Sequence, residues 1–180
     1  RDLTAAERAA ARRSGRPAAL RLRGRGDRVR VVDGLRGPVE ARVDDVVLRR
    51  NDGVAAYNLA VVVDGAHQGV EQVVRAEDLL PVAPTQAHLY DLLGLPRPRW
   101  AHVPLVVGAD GVLLAKRHGS VTLAELRSAG VVVEAVVGWI GKGLGIDDPA
   151  GARAVADLLG GFEPAAIPTD AATVLDPDGT

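Results

Sequence analysis

Two cations and a phenol are the side chains best placed to do chemistry. Lys116 stands in Leu113-Leu114-Ala115-Lys116-Arg117-His118-Gly119, and with Lys142 it is one of only two lysines among 22 basic residues. A loop lysine can supply a fixed positive charge where negative charge develops on a transferring group. The glycines flanking this one, Gly111 and Gly119, would let the loop close over a ligand. Read alone, however, a lysine in a loop is ordinary solvated surface. Arg75, in Val74-Arg75-Ala76-Glu77-Asp78, carries a planar fork that suits a carboxylate through a bidentate, charge-assisted pair. An ion pair with Glu77 or Asp78 would account for it equally well. Tyr57, 18 residues earlier, can orient a polar substrate through its hydroxyl, or it can be a half-buried residue of an amphipathic helix. His102 and His118 sit in no ligand-spaced cluster, and Asp44-Asp45 and Asp147-Asp148 read as turn and cap residues rather than a metal pair.

These residues need elements to hold them. Thr4-Ala5-Ala6-Glu7 has capping-box spacing and predicts a helix to about Arg13, ended by Gly15 and Pro17. From Ala19 to Arg50, short alternating stretches broken by glycines read as a small antiparallel meander. In 57–68, Val61-Val62-Val63 favours a strand. Leu59, Val62, Val63 and Ala66 instead follow helical spacing, and Gly69 suits the position just past a helix end. The residues alone leave both open; a strand Val70–Val74 should follow and deliver Arg75 at the sheet edge where ligands bind in α/β proteins. Pro84 should open the next helix and Gly94 stop it. His102–Val107 reads as a buried strand turning into the Lys116 loop. Helices are expected over Thr122–Ala129, Val132–Leu144 and Pro149–Leu159, the last capped by Asp148. The segment after Pro164, rich in Pro, Asp, Thr and Ala, reads as a mobile tail.

Bulk properties set wide limits. A chain of 180 residues, 47% hydrophobic and 25% charged, has the composition of a soluble globular domain. Its net charge is −1, yet residues 1–30 hold ten arginines against three acids, a basic block that could face RNA phosphate or be a solvated helix and hairpin. There is no cysteine for a disulfide or a thiolate zinc site, and no apolar run long enough to cross a membrane. The cytoplasm is the default expectation. A chain beginning with Arg1 rather than Met reads as a fragment or processed piece.

The order Arg49-Arg50-Asn51-Asp52-Gly53-Val54-Ala55-Ala56-Tyr57-Asn58-Leu59-Ala60, then Arg75-Ala76-Glu77-Asp78-Leu79, Ala101-His102-Val103-Pro104-Leu105 and Leu114-Ala115-Lys116-Arg117-His118-Gly119 resembles the second half of the catalytic domain of the class I glutamyl-tRNA synthetase family. Within that family the resemblance is strongest to its short branch, the glutamyl-Q tRNA(Asp) synthetases. It is specific between residues 45 and 126 and fades over the last fifty. Three positions depart from the family pattern: Leu113 replaces a basic residue, Ala76 a glycine, and Gly65 an acid.

The resemblance implies an α/β fold, the second half of a class I Rossmann-like catalytic domain with a small antiparallel insertion and a C-terminal helical cap, and it implies the helix over 57–68. Residues 1–120 would form the partial catalytic domain, with the N-terminal helix and meander in 1–50 and the nucleotide-binding half in 51–120. Residues 121–163 would form the helical cap, and 164–180 the tail. It assigns Lys116 to catalysis on the ATP phosphates, Leu113, Leu114, Ala115, Lys116 and Arg117 to the ATP-binding loop, and Tyr57 and Arg75 to L-glutamate. ATP and Mg2+ are implied as cofactors. Zinc belongs to the family pattern too, but its cysteine ligands are absent from this chain. The implied reaction is ATP-dependent activation of glutamate and transfer of the glutamyl group to queuosine in the tRNA(Asp) anticodon loop, by a monomer with no membrane partner. About sixty residues follow Lys116, too few for a large anticodon-binding region, which favours the short branch over a truncated glutamyl-tRNA synthetase charging the tRNA 3′ end. The motif that binds ATP at the start of such a domain is missing, so the fragment is expected to be inactive alone. A noncatalytic RNA-binding remnant is the alternative from another class.

Overall fold

The computed structural model describes residues 3–15, 17–107, 122–146, 154–169 and 173–174. Helix α1 spans Ala5–Arg13, and its capping box is formed: the Thr4 hydroxyl accepts from the Glu7 N–H while the Glu7 carboxylate accepts from the Thr4 N–H. Those hydrogen bonds hold the Glu7 carboxyl below its ordinary range. No residue of α1 is buried.

The 19–50 region makes four strands, but they do not stay together as one meander. Strand β1 (Leu20–Arg21) pairs antiparallel with β4 (Val47–Arg49). Strands β2 (Arg28–Asp33) and β3 (Gly37–Arg42) instead join β5 (Gln72–Ala76) and β6 (Arg99–Val103) in a four-stranded sheet of order β3-β2-β6-β5. Arg99 N–H donates to the Glu71 carbonyl at one end of the β5–β6 pair, and Arg75 meets His102 at the other, so these two strands run parallel. A parallel pair needs a crossover, and α3 (Ala83–Leu93) lies between them in sequence.

Helix α2 (Tyr57–His67) settles the ambiguous valine run in favour of the 3.6-residue period. Val62 is fully buried and Ala66 packs beside it, whereas Val63 faces outward. Gly69 follows with φ +68°. Helix α3 has Pro84 in its first turn and ends at Gly94, which adopts φ +66°.

By compactness the chain falls into two units. The first holds Arg1–Val32, Pro38–Val73 and Pro81–Trp100. Its core gathers Leu22, Val29, Val31, Val43, Val62, Ala87, Leu89, Tyr90 and Trp100, with Tyr90 and Trp100 edge to face at 6.3 Å. Gly24 belongs to this unit, and a Cβ there would lie 2.4 Å from the Val43 carbonyl oxygen. Gly24→Ala should therefore lower the urea unfolding free energy by about 1–3 kcal/mol; an unchanged midpoint would show that the backbone moves aside freely.

The second unit holds Asp33–Gly37, Val74–Leu80 and Ala101–Thr180. Pro104, which has no N–H for a ladder, falls in the gap between β6 and β7 (Val106–Val107), so the strand expected over 102–107 is split. Helices α4 (Leu123–Ser128) and α5 (Val133–Gly143) form where expected. A small cluster unites Val137, Ile140, Leu144, Ile146 and Leu158. Of the third expected helix, Pro149–Leu159, the described part lies in a 3₁₀ segment, Val155–Gly161. The Asp157 carboxylate accepts from the Ala154 N–H at 2.8 Å, just before the segment's first residue. Asp148, expected to cap it, lies outside the described residues. Within 164–180, Ile167 is buried and Thr173–Val174 (β8) pairs parallel with β7.

Candidate active site

Three strands carry a polar residue to their C-terminal ends: Asp33 ends β2, Arg75 is next to last in β5, and His102 is next to last in β6. All three belong to the second unit. In β2 the burial alternates along Arg28-Val29-Arg30-Val31-Val32-Asp33, so Asp33 shares the inward face of Val29 and Val31. That phase drives an acid into the interior, where it must find donors. His102 supplies two. Its Nδ1 lies 2.6 Å from Asp33 Oδ2, and its backbone N–H donates to Asp33 Oδ1 at 3.1 Å. The N–H groups of Leu35 and Arg36 also donate to Oδ1, each at 3.0 Å, which closes the turn after β2. Burial alone would raise the Asp33 carboxyl, but the imidazole and the three backbone N–H groups outweigh it and hold the group below its ordinary value.

On the other side of the ring, Arg75 Nε donates to His102 Nε2 at 2.9 Å, and Arg75 Nη2 donates to the Leu79 carbonyl at 3.2 Å. Two bonds from different nitrogens fix the plane of the guanidinium. Arg36 braces the group from below: its Nε donates to the His102 carbonyl at 3.2 Å, Nη2 lies 2.7 Å from Glu77, and Nη1 donates to the Thr169 carbonyl. Glu77, a candidate partner of Arg75 on sequence grounds, is thus engaged by Arg36. A half-buried arginine held rigid at the carboxyl edge of a sheet can dock a carboxylate at little cost in side-chain entropy.

Tyr57 is the first residue of α2, half exposed, and belongs to the first unit, whereas Arg75 belongs to the second. Its placement is set by Asn51-Asp52-Gly53: Asp52 Oδ1 accepts from the Val54 N–H, Gly53 takes φ +86°, and the Ala56 N–H then donates to the Leu48 carbonyl. In the same helix Gly65 sits under Tyr90, whose hydroxyl would be 3.1 Å from a Cβ there. An acid at that position would have to push Tyr90 aside. Leu113, Leu114, Ala115, Lys116, Arg117 and His118 lie outside the described residues. Asp45, one of the paired acids, is a strut: its carboxylate accepts from the Gly24 N–H at 2.7 Å.

His102, expected in a buried strand, is fully buried. Asp33 and Arg36 were not singled out. The signal was available for Asp33, an acid in phase with two inward valines.

Comparison with known proteins gives a consistent answer. The family described as tRNA synthetases class I (E and Q), catalytic domain, matches residues 1–155. The chain is 54% identical over 170 residues to a glutamyl-Q tRNA(Asp) synthetase of Nocardia farcinica, covering 94% of this chain and 53% of that protein. It is 39% identical over 183 residues to glutamate--tRNA ligase 1 of Halorhodospira halophila, covering 98% of this chain and 38% of that one. The chain thus spans about half the length of the glutamyl-Q relatives it matches. Among solved structures, glutamate-tRNA synthetase of Elizabethkingia anophelis superposes with a TM-score of 0.75 at 20% identity, covering 98% of this chain and 40% of that one, which is a likeness of fold.

Proposed function

Because the chain belongs to the class I glutamyl and glutaminyl tRNA synthetase catalytic-domain family, we propose that it is the glutamate-docking half of an enzyme that activates L-glutamate with ATP and passes the glutamyl group to tRNA. The acceptor in this reading is the queuosine base in the anticodon loop of tRNA(Asp), and the enzyme is a cytoplasmic monomer. The observation that carries the proposal is the Arg75 guanidinium, anchored by His102 and Leu79 at the C-terminal edge of the sheet. In this reading Arg75 takes a glutamate carboxylate, and the Tyr57 hydroxyl orients the same substrate. Lys116, within the loop Leu113–Arg117, stabilises the charge that develops on the ATP phosphates.

Adenylate formation is displacement at phosphorus, in which positioning and electrostatics do most of the work. His102 is therefore not required as a general base. Magnesium would enter with ATP. Zinc does not fit this chain, which has no cysteine, and no step is assigned to it.

Glutamate-dependent ATP–pyrophosphate exchange, with and without tRNA, on this chain and on a version extended upstream, tests the proposal. Exchange by the extended version is the expected result, followed by glutamyl transfer to tRNA(Asp) only when the queuosine base is present. Transfer to the 3′ end instead would favour the glutamate--tRNA ligase reading. Folded protein that binds tRNA in a salt-sensitive way yet never exchanges would favour an RNA-binding remnant.

A further inference from the structure

Resting on the reading of Arg75 as the glutamate-carboxylate ligand, we infer that His102 and Asp33 are positioning residues for it. Asp33 holds the imidazole in the Nδ1–H form, so that the bare Nε2 accepts from Arg75 Nε and orients the guanidinium toward the substrate. The tautomer is dictated from both sides. An arginine Nε–H can only donate, so the nitrogen 2.9 Å from it, His102 Nε2, must be the acceptor. The ring then carries its proton on Nδ1, which lies 2.6 Å from Asp33 Oδ2. Asp33 cannot turn away, because its Oδ1 is already taken by the N–H groups of Leu35, Arg36 and His102. Arg36, bonded to the His102 carbonyl and paired with Glu77, keeps β6 in register with the turn after β2. The relay converts a buried acid, which never needs to touch substrate, into a fixed orientation of the arginine that does.

Two substitutions of the same histidine separate positioning from mere packing. In His102→Asn the short amide can still donate to Asp33 but does not reach Arg75. In His102→Gln the longer amide can place its oxygen where Nε2 stood, but loses Asp33. The expected result, in the version of the enzyme that exchanges, is a rise in KM for glutamate of roughly tenfold or more for Asn and under about threefold for Gln. KM for ATP and kcat should stay within about twofold in both. Thermal stability should rank the other way, Asn above Gln. If KM for glutamate instead follows stability, or moves in neither variant, the relay is wrong. The 15N shifts of the His102 ring, read on this chain itself, provide an independent measurement: a protonated Nδ1 and bare Nε2 support the relay, and a protonated Nε2 overturns it. A wild type that does not exchange would count against the functional reading, while those ring shifts would still decide the relay.

Discussion

Arg75→Ala is expected to lower kcat/KM for glutamate by on the order of 10²- to 10³-fold, carried by KM, with KM for ATP nearly unchanged. Truncating one partner of a buried, hydrogen-bonded charge pair costs about 2–5 kcal/mol, and a tenfold change corresponds to about 1.4 kcal/mol. The arginine is half-buried and anchored at two of its nitrogens, so its loss also strands the His102 acceptor and the Leu79 carbonyl. Arg75→Lys sharpens the test. It keeps the charge but has neither the fork nor an Nε–H for His102, and should recover little of the lost efficiency. Steady-state exchange kinetics at varied glutamate supplies the measurement. A KM for glutamate within about twofold of wild type in both variants would remove Arg75 from the substrate site.

Asp33→Ala carries the largest expected effect on stability, a loss of about 3–5 kcal/mol in the unfolding free energy from urea titration. It leaves three backbone N–H groups and a fully buried imidazole without their acceptor. Asp33→Asn keeps one carbonyl oxygen for the backbone donors and should cost about 1–2 kcal/mol. Its amide N–H, however, would face His102 Nδ1, move the ring proton to Nε2 and set two donors against each other at Arg75; a tautomer swap of this kind is known to disable a catalytic histidine elsewhere. The pH dependence has a defined sign. Asp33 is held below its ordinary value in the fold, so its stabilisation is complete above the unfolded carboxyl pKa, about 3.9, and is lost as pH falls through the lower folded value. Between about pH 5 and pH 3, therefore, wild type should lose more stability than Asp33→Ala. Equal slopes would mean that Asp33 titrates as it does in the unfolded chain.

Local elements were largely legible because their determinants are local. The capping box of α1, Pro84 and Gly94 bounding α3, and the pair of helices after Thr122 each depend on residues a few positions apart. The valine run in α2 was a contest between strand propensity and helical spacing, and burial of Val62 decided it. Where expectation and structure part, a longer-range partner intervenes. The strands of 19–50 separate because β2 lies beside β6, some seventy residues later, rather than remaining in a local meander.

The amino-acid order by itself determined which family the chain resembles, which arginine and tyrosine to examine, and that Arg75 would stand at the end of a strand. Motif spacing and hydrophobic period are properties of the chain alone, so they survive without a fold. Only the tertiary structure decided what holds Arg75. Asp33, Arg75 and His102 are separated by 42 and 27 residues, and nothing in their neighbourhoods names one another. They meet because three strands, adjacent in the order β2-β6-β5, bring their C-terminal residues to one edge. There a buried acid, denied water, has to take its hydrogen bonds from the histidine that in turn supports the arginine.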